Sequence, residues 1–148
     1  MSTVEVGLLE KKGKPGTHQL QCVVVTPERT LFDQVVDFVA LPLFDGELGV
    51  LPGRTPLIGR LGFGELRTKV GETTRRYFVD GGFAQIRDNV VTLLTNRAVP
   101  SADIDTSAAT RDLEQAQARR GATEFDQAEK AKAIARARAQ IRVGSIRG

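Results

Sequence analysis

The chain holds one cysteine, one histidine, one methionine and no tryptophan among its 148 residues, and these shortages exclude several kinds of activity. A lone cysteine cannot close an internal disulfide, and Cys22, inside the apolar run QCVVV, reads as a small buried hydrophobe rather than a nucleophile, as fits a reducing compartment. A lone histidine, His18, cannot build a Ser/His/Asp triad or a histidine-based metal site. No apolar run approaches the roughly 20 residues of a membrane-spanning helix. The opening segment, MSTVEVGLLEKKGKPGTH, has no apolar stretch of secretory-signal length, so the expectation is a chain made and kept in the cytosol. A net charge of +3 is too small to argue for nucleic acid unless it is concentrated somewhere.

What is present divides near residue 100. All six prolines and 12 of the 15 glycines lie before that point, whereas 12 of the 15 alanines lie after it, so strand-and-turn composition gives way to helix composition. The earlier part repeats short runs rich in Val, Leu, Phe and Thr: LQCVVVT, VVDFVALPL, PLIGRL, FGELRTKV, RRYFVD, FAQIR and NVVTLLTN. Runs recurring every 8 to 12 residues or so suggest an all-β sandwich or barrel. Phe44-Asp45-Gly46 and Asp88-Asn89 stand where hairpins would reverse, while Gly71 and Gly81-Gly82 supply permissive backbone. Residues 1 to 18 read as a flexible extension, 19 to 100 as the β domain and 101 to 148 as a helical hairpin.

In the last segment, Ile104, Ala108, Leu113 and Ala116 can share one face of a first helix, entered through Asp103 or Asp105 and stopped by Gly121. Thr123 and Asp126 resemble a capping box with a shortened acid, opening a second helix to about Val143, with Gly144 as its stop. The short Gly121-Ala122 connection makes the pair antiparallel. Large apolar residues are few here: Ile104, Leu113, Phe125, Ile134, Ile141, Val143 and Ile146. Fully buried, they contribute about 10 to 20 kcal/mol, against about 1 to 2 kcal/mol for each backbone residue ordered. Such a hairpin should lean on the β domain or on a partner, and be able to leave.

Three features could carry chemistry. Gly59, Gly62 and Gly64 in GRLGFG superficially suggest a phosphate loop, but the order is GxxGxG and no Lys-Ser/Thr follows, so a turn or bulge is the expectation. Asp45 and Glu47 flank a turn glycine and read as solvated acids without a partner for acid/base work. From Lys130 to Gly148 there are six cations and no acid. They fit a solvated helix face that also favours the negative end of the macrodipole, or a hook for an acidic protein surface, or, third, a nucleic-acid contact.

Taken in order, VVTPERTLF (24–32), DGELGVLPGRTPLIGRLGFGELR (45–67) and RYFVDGGFAQIRDNVVTLLTNRA (76–98) resemble the epsilon subunit of F-type ATP synthases, called delta in mitochondria. The second stretch is similar to the family's GELG, PGHxPL and GxxR elements, and the third to its Gly-Gly hairpin and last strands. The resemblance is close from about Leu20 to Val99 and weaker beyond.

It implies a β-sandwich followed by an antiparallel two-helix hairpin, with no catalysis of its own. The sandwich would sit at the foot of the central stalk, gripping the gamma subunit and the c-ring, so that ion flow is coupled to rotation and ATP synthesis. Membrane contact would come only through the complex, at the cytoplasmic face of the energy-transducing membrane. By analogy Asp45, Glu47 and Leu48, in a tight loop presenting the last two outward, would meet the c-ring, while Arg54, where the family commonly has histidine, lies near the gamma contact. The hairpin could extend into the catalytic head and restrain ATP hydrolysis, with Arg136, Arg138 and Arg142 engaging acids of the catalytic alpha and beta subunits. Some relatives bind ATP through I/L-D-x-x-R-A, and the matching stretch is Ile104-Asp105-Thr106-Ser107-Ala108-Ala109. Ala108 replaces the arginine that would hold phosphate, so weak or no ATP binding is expected. A stand-alone nucleic-acid module with a basic tail is the alternative from another class, and no cofactor or nucleic-acid partner is expected on the main reading.

Overall fold

The computed structural model describes residues 18–145, and the proposed extension lies outside them except for His18, which is exposed. The eight strands are β1 (Leu20–Val25), β2 (Thr30–Val36), β3 (Phe38–Leu43), β4 (Gly46–Val50), β5 (Leu57–Val70), β6 (Thr73–Arg87), β7 (Val90–Leu94) and β8 (Ala98–Pro100). A 3₁₀ turn (Ser101–Asp103) leads to α1 (Thr106–Ala118) and α2 (Glu124–Gly144). The strand order is β2-β1-β7-β6-β5-β3-β4, with β8 also on β6. Every pairing is antiparallel except β1 with β7.

The long β5–β6 ribbon turns one sheet into a sandwich. Its register is unchanged from Leu57↔Ile86 to Val70↔Thr73, yet the alternation of buried side chains resets midway. Leu61, Ala84 and Ile86 point into the core on one side, and Leu66, Tyr77 and Val79 on the other. The reset falls at Gly81 and Gly82, whose φ values of 67° and 106° are open to glycine and costly for other residues. There β6 also exchanges neighbours, pairing β8 through Tyr77–Val79 and β7 through Phe83–Arg87. Gly81-Gly82 is thus a bend inside one strand, not the hairpin that the family resemblance implied.

The hairpins lie elsewhere, at residues 26–29, at Phe44-Asp45, at Gly71 (φ 58°) and at Asp88-Asn89 (φ 53° and 63°). Gly59, Gly62 and Gly64 form no phosphate loop, and Gly62 and Gly64 fall where the β3–β5 register slips, between Leu43↔Leu61 and Ala40↔Arg67, as the expected bulge would. They lie within β5, and the missing side chains admit β3: a Cβ on Gly64 would sit 2.8 Å from Pro42 Cβ. Cys22 is fully buried, and desolvation first, then the Asp33 carboxylate, pushes its thiol from 9.0 up to about 12, so it is a packing residue and not a reactive one.

The main core is built entirely from strands and includes Leu20, Val24, Phe32, Val36, Leu41, Leu66, Val79 and Leu93. Among the described residues the helical hairpin contributes nothing to it. Val143 and Ala139 of α2 instead cover Phe78 on the outer face of β6, with Phe63 and Ile104 alongside. Asp105 caps α1 by accepting from the Ala108 N–H at 3.0 Å, and Thr123 caps α2 by accepting from the Asp126 N–H at 3.0 Å.

Three details correct the sequence reading. Ile104 precedes α1 in extended conformation, where it packs beside Phe78 instead of continuing a helical face. The first helix ends at Ala118, before Gly121. Gly144 is the last residue of α2, so the helix stops where expected, but what requires glycine there is close approach, since a Cβ would come within 2.9 Å of Ile104 and Thr106 side chains. The buried positions of α1 are Ala109 and Ala116, while Phe125 is 71% exposed. The hairpin is therefore held more thinly than its count of large apolar residues suggested.

Candidate partner-binding surfaces

Alternation along β4, an edge strand of the sheet, sends Glu47 outward and Leu48 inward. Leu48 packs against the main core, which corrects the reading of 45–50 as a loop displaying both residues; only Asp45, in the turn, precedes the strand. Glu47 starts a charged row across the sheet, its carboxylate 3.2 Å from Arg67, which is 3.2 Å from Glu65, itself 3.2 Å from Arg76. Arg54 is exposed in the loop beyond the other end of β4, beside Gly53, whose N–H donates to Asn89 Oδ1 at 2.7 Å. The structure thus places Asp45 with Glu47 and sets Arg54 apart.

A second surface was missed. On the outer side of β5, β6 and β7, past the bend, Ile58, Phe83 and Leu94 are 73%, 57% and 55% exposed. Phe83 pairs directly with Leu94 on one side and with Arg60 on the other. Arg60 lies over the exposed Phe44 ring, 4.3 Å from its centre. Large apolar side chains grouped and rimmed by a cation mark a docking surface better than scattered ones do. The available sign was the doublets Leu57-Ile58 and Leu93-Leu94, since consecutive apolar residues in a strand put one on each face.

On the hairpin, the three arginines separate. Arg138 and Arg142 are exposed. Arg136 is half-buried, donating from Nε to Asp80 Oδ1 at 3.1 Å with its guanidinium 4.9 Å from the Phe63 ring centre. Between hairpin and sheet lies a pocket of about 260 Å³ whose lining includes Asp103, Asp105, Asp112 and Arg97. Three carboxylates face one guanidinium, and Asp105 is already committed to capping α1. Among the described residues no group of His, Cys, Asp or Glu is arranged to hold a metal ion, and no described helix is long and apolar enough to cross a membrane.

A strand-only core carrying an externally docked helix pair defines a class, and comparison with known proteins agrees. The family described as ATP synthase, Delta/Epsilon chain, beta-sandwich domain matches residues 19–101. The ATP synthase epsilon chain of Rhodopirellula baltica is 53% identical over 123 residues, 83% of this chain and 96% of that one. That of Nitratidesulfovibrio vulgaris strain DP4 is 37% identical over 126 residues, 84% and 94% respectively. A chain of the Euglena gracilis mitochondrial ATP synthase, in a structure of OSCP, F1 and c-ring, superposes with a TM-score of 0.75 at 26% identity, covering 86% of this chain and 82% of that one. A chain of the Tetrahymena thermophila central stalk and c-ring shares the fold, with a TM-score of 0.62 at 13% identity over 90% and 100%. The chain belongs to the family of ATP synthase epsilon subunits.

Proposed function

We propose that this subunit is a non-catalytic part of the rotor, clamping the gamma subunit and the c-ring so that ion-driven rotation reaches the catalytic head. The observation that carries the reading is the uncovered apolar group of Ile58, Phe83 and Leu94 on one face of the sandwich. Its proposed occupant is gamma, a reading supported by the Euglena chain of similar fold, which comes from an assembly of OSCP, F1 and c-ring. Arg54 borders the same contact, and the polar edge at Asp45 and Glu47 suits the polar loops of the c-ring. The subunit then lies peripherally at the cytoplasmic face, reaching the membrane only through the complex.

Reconstitution with gamma and c-ring tests this. Phe83→Glu puts a charge where an aromatic anchor would be desolvated and should weaken assembly by about a hundredfold, with little change in melting because the side chain is exposed. Val70→Glu, exposed at the far β5–β6 turn, should assemble normally. Full-strength assembly of the Phe83 variant overturns the assignment of this face.

The hairpin is the regulatory element. Arg138 and Arg142, joined by Arg136 when the hairpin extends, meet acids of the alpha and beta subunits and restrain hydrolysis. Replacing all three with Gln should raise ATP hydrolysis by the assembled complex, and unchanged inhibition rejects this part. The folded hairpin takes no ATP, because the lining of its pocket has three acidic residues against the single cation Arg97 and none at Ala108. Calorimetric titration of the isolated chain should show no binding below about millimolar ATP, and a sub-millimolar affinity overturns it.

A further inference from the structure

We infer that Arg136, Asp80 and Phe63 form a latch that sets the balance between docked and released hairpin. Arg136, Ala139 and Val143 follow i, i+3, i+7 spacing and so share one face of α2. The face that covers Phe78 therefore ends in a guanidinium. Arg136 meets a preset acceptor. Asp80 stands just before the Gly81-Gly82 bend, its N–H donating to Thr95 Oγ1 at 3.2 Å and Arg97 O at 3.1 Å, and its carbonyl accepting from Asn96 Nδ2 at 3.3 Å. Its carboxylate is 13% exposed and the Arg136 side chain 37%, so salt screens the pair less than an open surface pair. The planar guanidinium also lies on the Phe63 ring, a contact that an ammonium reproduces poorly.

This arrangement suits a reversible hold. The apolar part is small, consisting of Phe78, Ala139 and Val143 with Phe63 and Ile104 at its edge, so one charge-assisted, stacked contact is a large share of the docking. On release, Asp80 gains water instead of staying buried and unpaired, and Arg136 becomes free for another carboxylate. The regulatory consequence rests on the function proposed above; the latch itself does not.

Hydrogen exchange on the isolated full chain tests it. Arg136→Gln and Asp80→Asn should each speed exchange of the α2 amides by about tenfold or more, as expected for loss of a charged hydrogen bond, and leave the β1 and β7 amides protected. The double variant should be no faster than the faster single one, because both remove one interaction. Arg136→Lys, with charge kept and stacking lost, should fall between. Unchanged α2 exchange in both single variants, or fully additive effects in the double variant, overturns the latch. Faster α2 exchange in Asp80→Asn, which keeps Arg136 for the extended state, without any change in ATP hydrolysis by the assembled complex upholds the latch and overturns the regulatory role of the hairpin.

Discussion

Gly82→Ala should leave the chain without a native sandwich. The backbone at Gly82 has φ 106°, and a Cβ there would be driven into the Leu94 carbonyl oxygen and lie 2.9 Å from Thr95 Cα. Neither neighbour can yield as a flexible side-chain tip would, because both are backbone, Leu94 at the end of β7 and Thr95 directly after it. Strain of this kind added to a lost β6–β7 pairing exceeds about 4 kcal/mol, a large share of the 5 to 15 kcal/mol that holds a domain of this size. Far-ultraviolet circular dichroism and a thermal melt read the outcome. Gly46→Ala is the informative contrast, since φ is 142° there but a Cβ meets nothing within 4 Å, and it should cost only a few degrees. A Gly82 variant melting like the parent would remove the bend from the account of the sandwich.

The second large effect is expected at Phe78→Ala, and it should be confined to the helices. Phe78 is fully buried, but beneath Ala139 and Val143 rather than inside the strand-built core. Truncating a buried phenylalanine costs about 3 to 5 kcal/mol, which is more than a hairpin held by so few apolar contacts can lose and stay docked. Residues 106–144 should then exchange their amide hydrogens at rates near those of isolated peptide, while β1, β7 and the core-facing half of β6 remain protected. Global unfolding instead would mean that hairpin and sandwich share one cooperative unit, contrary to the separation of the two clusters.

The sequence made some of this legible and concealed the rest for identifiable reasons. Turn chemistry was readable at Asp88-Asn89 and Gly71, where positive φ is required and supplied. The second helix entry was readable at Thr123, and the first was narrowed to Asp103 or Asp105, of which Asp105 is the cap. The Gly81-Gly82 pair misled because a glycine doublet looks the same whether it reverses a chain or bends a strand. What distinguishes them is the partner across the ribbon, a long-range fact. Leu48 was read as outward because a glycine-rich stretch suggested a loop, whereas strand pairing with Leu41 turns it to the core. The apolar face at Phe83 was missed since strand periodicity reveals that two faces differ, not which of them a partner will cover. Arg136 was grouped with Arg138 and Arg142 by charge alone. Its partner Asp80 is 56 positions earlier in the chain, beyond any local pattern.

The burial of Cys22, with its thiol raised to about 12, has a practical corollary. The chain has no other sulfhydryl, so a cysteine introduced at exposed Arg138 would be its sole nucleophile toward maleimide at neutral pH, without prior editing of the native sequence. A dye or spin label could then report on the docked or released helices, and the strand interior would stay chemically silent.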